Sequence, residues 1–145
     1  MRTILADVNV LLALTDPQHS ARSKVSAWLG TLRSGDRLLL CRNTQSALVR
    51  LLATSAVMQG KPMTLSQAWA HVDALLGAAG MGFLQEPSKL EDCWRRLCQP
   101  FPASPKVVND AYLAALAIES GSALATMDAG FRQFPGLALV KELLQ

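Results

Sequence analysis

Short uninterrupted apolar runs alternate along the chain with longer stretches in which apolar residues recur every three or four positions. That pattern predicts strands buried on both faces and amphipathic helices packed over them. Thr3 to Ala6, Leu38 to Cys41, Met81 to Leu84 and Ala123 to Met127 read as strands, with Leu137 to Val140 as a last one. Val8 to Leu14 reads as a short helix ended by Asp16-Pro17, and Ala21 to Leu32 as a helix stopped by Gly35. Asn43 or Thr44 caps a third helix whose buried stripe includes Gln45, Leu48, Val49 and Leu52. After the Gly60-Lys61-Pro62 break, Thr64 opens a fourth helix through Ala79. Leu90 to Cys98 is a fifth, followed by an ordered loop carrying Pro100, Pro102 and Pro105. Val107 to Glu119 is the most regular helix, with Tyr112, Leu113, Leu116 and Ala117 on one face and Gly121 as its stop. Trp28, Trp69 and Trp94 fall on helices and read as core or interface residues. The order of elements predicts a single α/β domain over 1–145, a three-layer α/β/α sandwich with a mostly parallel central sheet.

Composition narrows the class. Half of the 145 residues are apolar and 17% are charged, which suits one compact domain and excludes a disordered chain. Mean hydropathy is +0.22, yet polar residues interrupt every apolar run well short of the ~18 residues a membrane span needs. Asp7 and Asn9 break the first apolar run, so no export signal is expected, and the cytoplasm is the expected compartment. Cys41, Cys93 and Cys98 are an odd number with no CxxC spacing, and His19 and His71 lie far from the latter two in sequence. They read as reduced thiols without zinc.

The aspartates carry the chemistry. Asp7 follows the first expected strand and Asp128 the fourth, which puts both at carboxyl ends of parallel strands, the edge where open α/β sheets bind ligands. Asp110 falls in the first turn of the 107–119 helix, where the helix dipole favours an ionised carboxylate. Three carboxylates in one pocket raise one another's pKa unless a cation joins them. Oxygen ligands alone select a hard ion, so Mg²⁺ or Mn²⁺ is expected. With those three set aside, 14 basic residues face 8 acidic ones, a surplus of +6 in place of the chain's +3, which suits an anionic partner such as nucleic acid without showing one.

Three blocks resemble the signatures of PIN domains: Leu5-Ala6-Asp7-Val8-Asn9-Val10-Leu11, Asn109 to Ala117 around Asp110, and Ala125-Thr126-Met127-Asp128-Ala129-Gly130-Phe131. The resemblance is strongest to the toxin ribonucleases of VapBC toxin–antitoxin systems and spans nearly the whole chain. It implies a PIN-like fold and a Mg²⁺-dependent endoribonuclease with Asp7, Asp110 and Asp128 as its catalytic metal site. Asn9 and Thr126 match positions that support those carboxylates by hydrogen bonds. Gln45 departs from the pattern, because many PIN domains carry an acidic residue there. A neutral amide orients a water but adds no charge, so a weaker ion site is expected.

The resemblance also implies an RNA substrate, a cognate antitoxin and a homodimer, which a surplus of apolar surface would serve. Water activated by the ion would attack the phosphodiester in line, leaving 5′-phosphate and 3′-hydroxyl ends. Arg42, Arg50 and His19 are candidates for substrate contact. A dehalogenase-type phosphatase would need a second aspartate two residues after the first, where Asn9 stands, and a receiver domain would need a phosphoacceptor aspartate after a central strand. The rival reading is a PIN-like module that binds RNA or protein and does not cut.

Overall fold

The structure is a computed structural model that describes residues 1–145. Four parallel strands, β1 (Thr3–Ala6), β2 (Arg37–Leu40), β3 (Met81–Phe83) and β4 (Ala123–Ala125), form one sheet in the order β3-β2-β1-β4. Six helices cover it: α1 (Val8–Thr15), α2 (Arg22–Leu29), α3 (Arg42–Leu52), α4 (Leu65–Leu76), α5 (Leu90–Cys98) and α6 (Pro105–Glu119). No helix is long and apolar enough to cross a membrane.

The central strands β1 and β4 are apolar beyond their first positions because each feeds two cores. Ile4 and Ala6 of β1 point into a core shared with α1 to α4, while Leu5 joins Leu113, Leu116 and Leu97 of α6 and α5 on the other face. Alternation along a strand thus appears here as burial on both sides. Gly121, at a φ of 68°, ends α6 in the left-handed conformation, and Ser122 N–H returns to the Ala117 carbonyl at 2.8 Å.

Several boundaries differ from the sequence expectation, for local reasons. Helix α3 starts at Arg42 with Cys41 as its N-cap, upstream of the expected caps Asn43 and Thr44. The Thr44 hydroxyl sits at the third helical position and accepts from Cys41 N–H at 3.1 Å. Pro105 belongs to α6 and not to the preceding loop: it is the first helical residue, where a missing N–H costs nothing. Asp110 therefore lies in the second turn of α6, not the first, and loses the support of free N–H groups there. Strand β4 ends at Ala125, short of Met127, because side chains take the next backbone donors: Met127 N–H bonds Asn9 Oδ1 at 3.3 Å and Asp128 N–H bonds Thr126 Oγ1 at 3.0 Å. The expected strand 137–140 is reduced to a single bridge between Leu124 and Leu139, since the chain turns at once into a short 3₁₀ segment, Lys141–Leu143. Trp28 is buried and Trp94 packs edge-on to Tyr112, but Trp69 is 45% exposed and lies outside the core.

Candidate active site

Parallel pairing brings the ends of β1, β2 and β4 to one edge of the sheet. Asp7 follows β1 and continues the ladder through its N–H to the Ala125 carbonyl at 2.9 Å. Its carboxylate caps α1, accepting from Val8 N–H at 2.7 Å, and takes the Thr126 hydroxyl at 2.8 Å on its other oxygen. Asn9 Nδ2 reaches the same oxygen at 3.5 Å and Thr126 Oγ1 at 3.4 Å. Asp128 caps a 3₁₀ turn, Ala129–Gln133, and accepts from Gly130 N–H at 2.8 Å. A Cβ at Gly130 would lie 2.9 Å from that Asp128 oxygen, which explains the glycine. Asp110 approaches from α6 and is half-buried.

The electrostatics couple the three. Burial pushes the Asp7 carboxyl up, against the Thr126 and Val8 hydrogen bonds, and the Asp128 charge pushes the same way. Burial also raises Asp110; Lys106 opposes that rise, while Asp128 and Asp7 add to it. Asp128 moves down, chiefly through the Gly130 N–H and then through Lys106. Lys106 Nζ sits 3.2 Å from Asp128 Oδ2 and 3.9 Å from Asp110 Oδ2, so an ammonium offsets part of the negative charge. No group of three or more aspartate, glutamate, histidine or cysteine side chains is gathered closely enough to hold an ion as it stands.

The chain matches the PIN domain family over residues 4–137. It is 36% identical over 140 residues to Ribonuclease VapC41 of Mycobacterium tuberculosis, covering 94% of this chain and 96% of that protein. The chain belongs to the VapC-type PIN-domain family. Its fold agrees with that of VapBC-1 from nontypeable Haemophilus influenzae, at a TM-score of 0.71 and 15% identity over 95% of this chain and 96% of that one. The sarcin-ricin loop cleaving toxin VapC20 of M. tuberculosis gives a TM-score of 0.66 at 15% identity, over 94% and 98%.

Within this PIN domain the remaining sequence candidates separate. Gln45 is buried at the start of α3, but its side-chain oxygen accepts from the Arg42 guanidinium and no hydrogen bond joins it to the carboxylates. Arg42 also lies over the Phe83 ring, 4.8 Å from its centroid. Arg50 is exposed two turns further along α3. His19 shares a hollow of about 300 Å³ with Asn9 and Asp128, and its Nδ1 accepts from Ala21 N–H at 3.0 Å. Lys106 was not among the sequence candidates. Its only sequence signal is a place one helical turn before Asp110.

Proposed function

We propose that this PIN domain is a Mg²⁺- or Mn²⁺-dependent endoribonuclease, the toxin of a toxin–antitoxin pair, hydrolysing RNA phosphodiesters at the pocket of Asp7, Asp110 and Asp128. The observation that carries this reading is the arrival of three electrostatically coupled carboxylates at the carboxyl edge of the sheet. Membership in a family whose relative at 36% identity is named a ribonuclease supports it. The same membership supports a cognate antitoxin, a homodimer and a cytoplasmic setting as parts of the proposal.

The chemistry of the donors suits a hard divalent cation, which would have to draw the carboxylates closer than they stand: every candidate ligand atom is a carboxylate oxygen, and burial with mutual repulsion disfavours ionised Asp7 and Asp110 without one. When bound, such an ion lowers the pKa of a water and offsets charge developing on a phosphodiester. The chain's own residues set the stage. Val8 N–H and the Thr126 hydroxyl fix the two oxygens of Asp7, and Gly130 N–H fixes one oxygen of Asp128. Lys106, exposed on α6, holds the other Asp128 oxygen.

Antitoxin-free protein incubated with total cellular RNA and Mg²⁺ is expected to give discrete fragments that disappear with EDTA. Intact RNA under both conditions would favour the non-cutting binding module. Thr126→Val isolates the support of Asp7, because valine keeps the shape but removes the hydroxyl that joins Asp7 to the Asp128 backbone. Cleavage by that variant is expected to fall about 10- to 100-fold, with a higher Mg²⁺ concentration needed for half-maximal rate.

A further inference from the structure

Helices α3 and α4 enclose an open groove of about 590 Å³. One stripe of α3 lines it, from Arg42 and Gln45 through Val49 and Arg50 to Ala53, and Leu65 and Trp69 form the opposing wall. Val49 is a buried floor, whereas Leu65 is 62% and Trp69 45% exposed. No carboxylate lines this groove, and the Arg50 guanidinium makes no ion pair within the chain. Its head lies at Gln45, one turn after Cys41, at the same carboxyl edge of the sheet that bears Asp7.

We propose that the α3–α4 groove is a binding site for single-stranded RNA, with the Trp69 indole as a stacking surface for a base and Arg42 and Arg50 as phosphate contacts leading to the carboxylate pocket. This rests on the nuclease reading for its direction. The two arginines are eight residues apart, about 12 Å along the helix at ~1.5 Å per residue, so they reach successive parts of one strand. Arg42 is already held by Phe83 and Gln45 and keeps free donors on its guanidinium. An exposed indole beside arginines, without a neighbouring acid, is the combination that holds unpaired bases and their backbone. A duplex keeps its base faces stacked internally and gains nothing from the indole.

Binding of a fluorescein-labelled oligouridylate to the full chain, measured by anisotropy in EDTA so that no cutting intervenes, tests this. A duplex of equal length is the comparison. The expected result is a preference for the single strand, a loss of about five- to hundredfold with Trp69→Ala, and a salt slope shallower by about 0.7 with Arg50→Gln. Melting curves of both exposed-site variants should match that of the unchanged protein. Equal binding by both variants, or equal affinity for the duplex, would overturn the proposal. So would unchanged RNA affinity combined with loss of a co-purifying antitoxin, which assigns the groove to protein. Trp69-dependent binding without cleavage in Mg²⁺ would leave the groove standing and remove the nuclease reading.

Discussion

Asp7→Asn is expected to reduce RNA cleavage by about a thousandfold or more while the protein stays folded. Asp7 is the carboxylate with the most complete support: one oxygen faces Val8 N–H and the other Thr126 and Asn9. Asparagine has the same shape and is as good an N-cap, so α1 keeps its start. What it loses is the charge and one acceptor, the two properties a hard cation needs. The stability effect has the opposite sign. Because the folded pKa of Asp7 is raised, its favourable contribution is complete below the unfolded carboxylate value and is lost as pH rises through the raised one. At neutral pH without metal, ionised Asp7 is thus a cost that asparagine removes, offset by a weakened bond to Thr126. Melting in EDTA should show the variant about as stable as the original, and fragment yield in Mg²⁺ should show the collapse in activity. Undiminished cleavage would remove Asp7 from the catalytic centre.

How far the sequence revealed this site depended on which physical signal each residue leaves. Asp7 and Asp128 were legible because strand identity fixes the carboxyl edge: Asp7 directly follows β1, and Asp128 follows β4 by three residues. Thr126 and Asn9 were readable from the family resemblance; Asn9 meets Asp7 locally, two residues on, whereas Thr126 meets Asp7 and Asn9 only through the fold, across 119 and 117 positions. Asp110 lies on the expected helix, but in its second turn. The helix starts at Pro105, so desolvation and neighbouring charges dominate its ionisation rather than a free helix end. Lys106 left no distinctive trace, since a lysine four residues before an aspartate on a helix reads as an ordinary surface pair. The groove was invisible for the related reason that Trp69 shares a helical pattern with core residues. Only the position of α3 beside α4 decides that its ring faces solvent.

The fold boundaries that moved have a common cause in side-chain competition for backbone groups. Thr44 pulls the start of α3 upstream, while Asn9 and Thr126 capture the N–H groups of Met127 and Asp128 and end β4 early. Periodicity cannot register such bonds, because it reports which side of an element is buried and not which donor is satisfied. The early end of β4 serves the site. With the ladder ended, Asp128 is free to cap the 3₁₀ turn, where its backbone N–H meets Thr126 Oγ1 and its carboxylate meets Gly130 N–H and Lys106.

That turn is clamped by Phe131, and Phe131→Ala is expected to cost about 3–5 kcal/mol of stability. The ring is 2% exposed, lies 6.0 Å from Phe134, and through Phe134 reaches Phe101 at 5.9 Å in the core beneath α5 and α6. Removing it opens a cavity that a short turn cannot refill, and the loss is a large part of the roughly 5–15 kcal/mol that holds a domain together. The consequence extends to the site, because Phe131 N–H bonds the Asp128 carbonyl at 3.3 Å and closes the turn that aims the carboxylate. Urea unfolding should show a lower midpoint with an unchanged slope. Cleavage measured without urea, under conditions where the variant is still folded, should fall as well. Phe131→Leu, which retains most of the apolar volume, should recover much of both. A variant with normal stability and weak cleavage would detach the clamp from the core and leave Asp128 positioned by Gly130 and Lys106 alone.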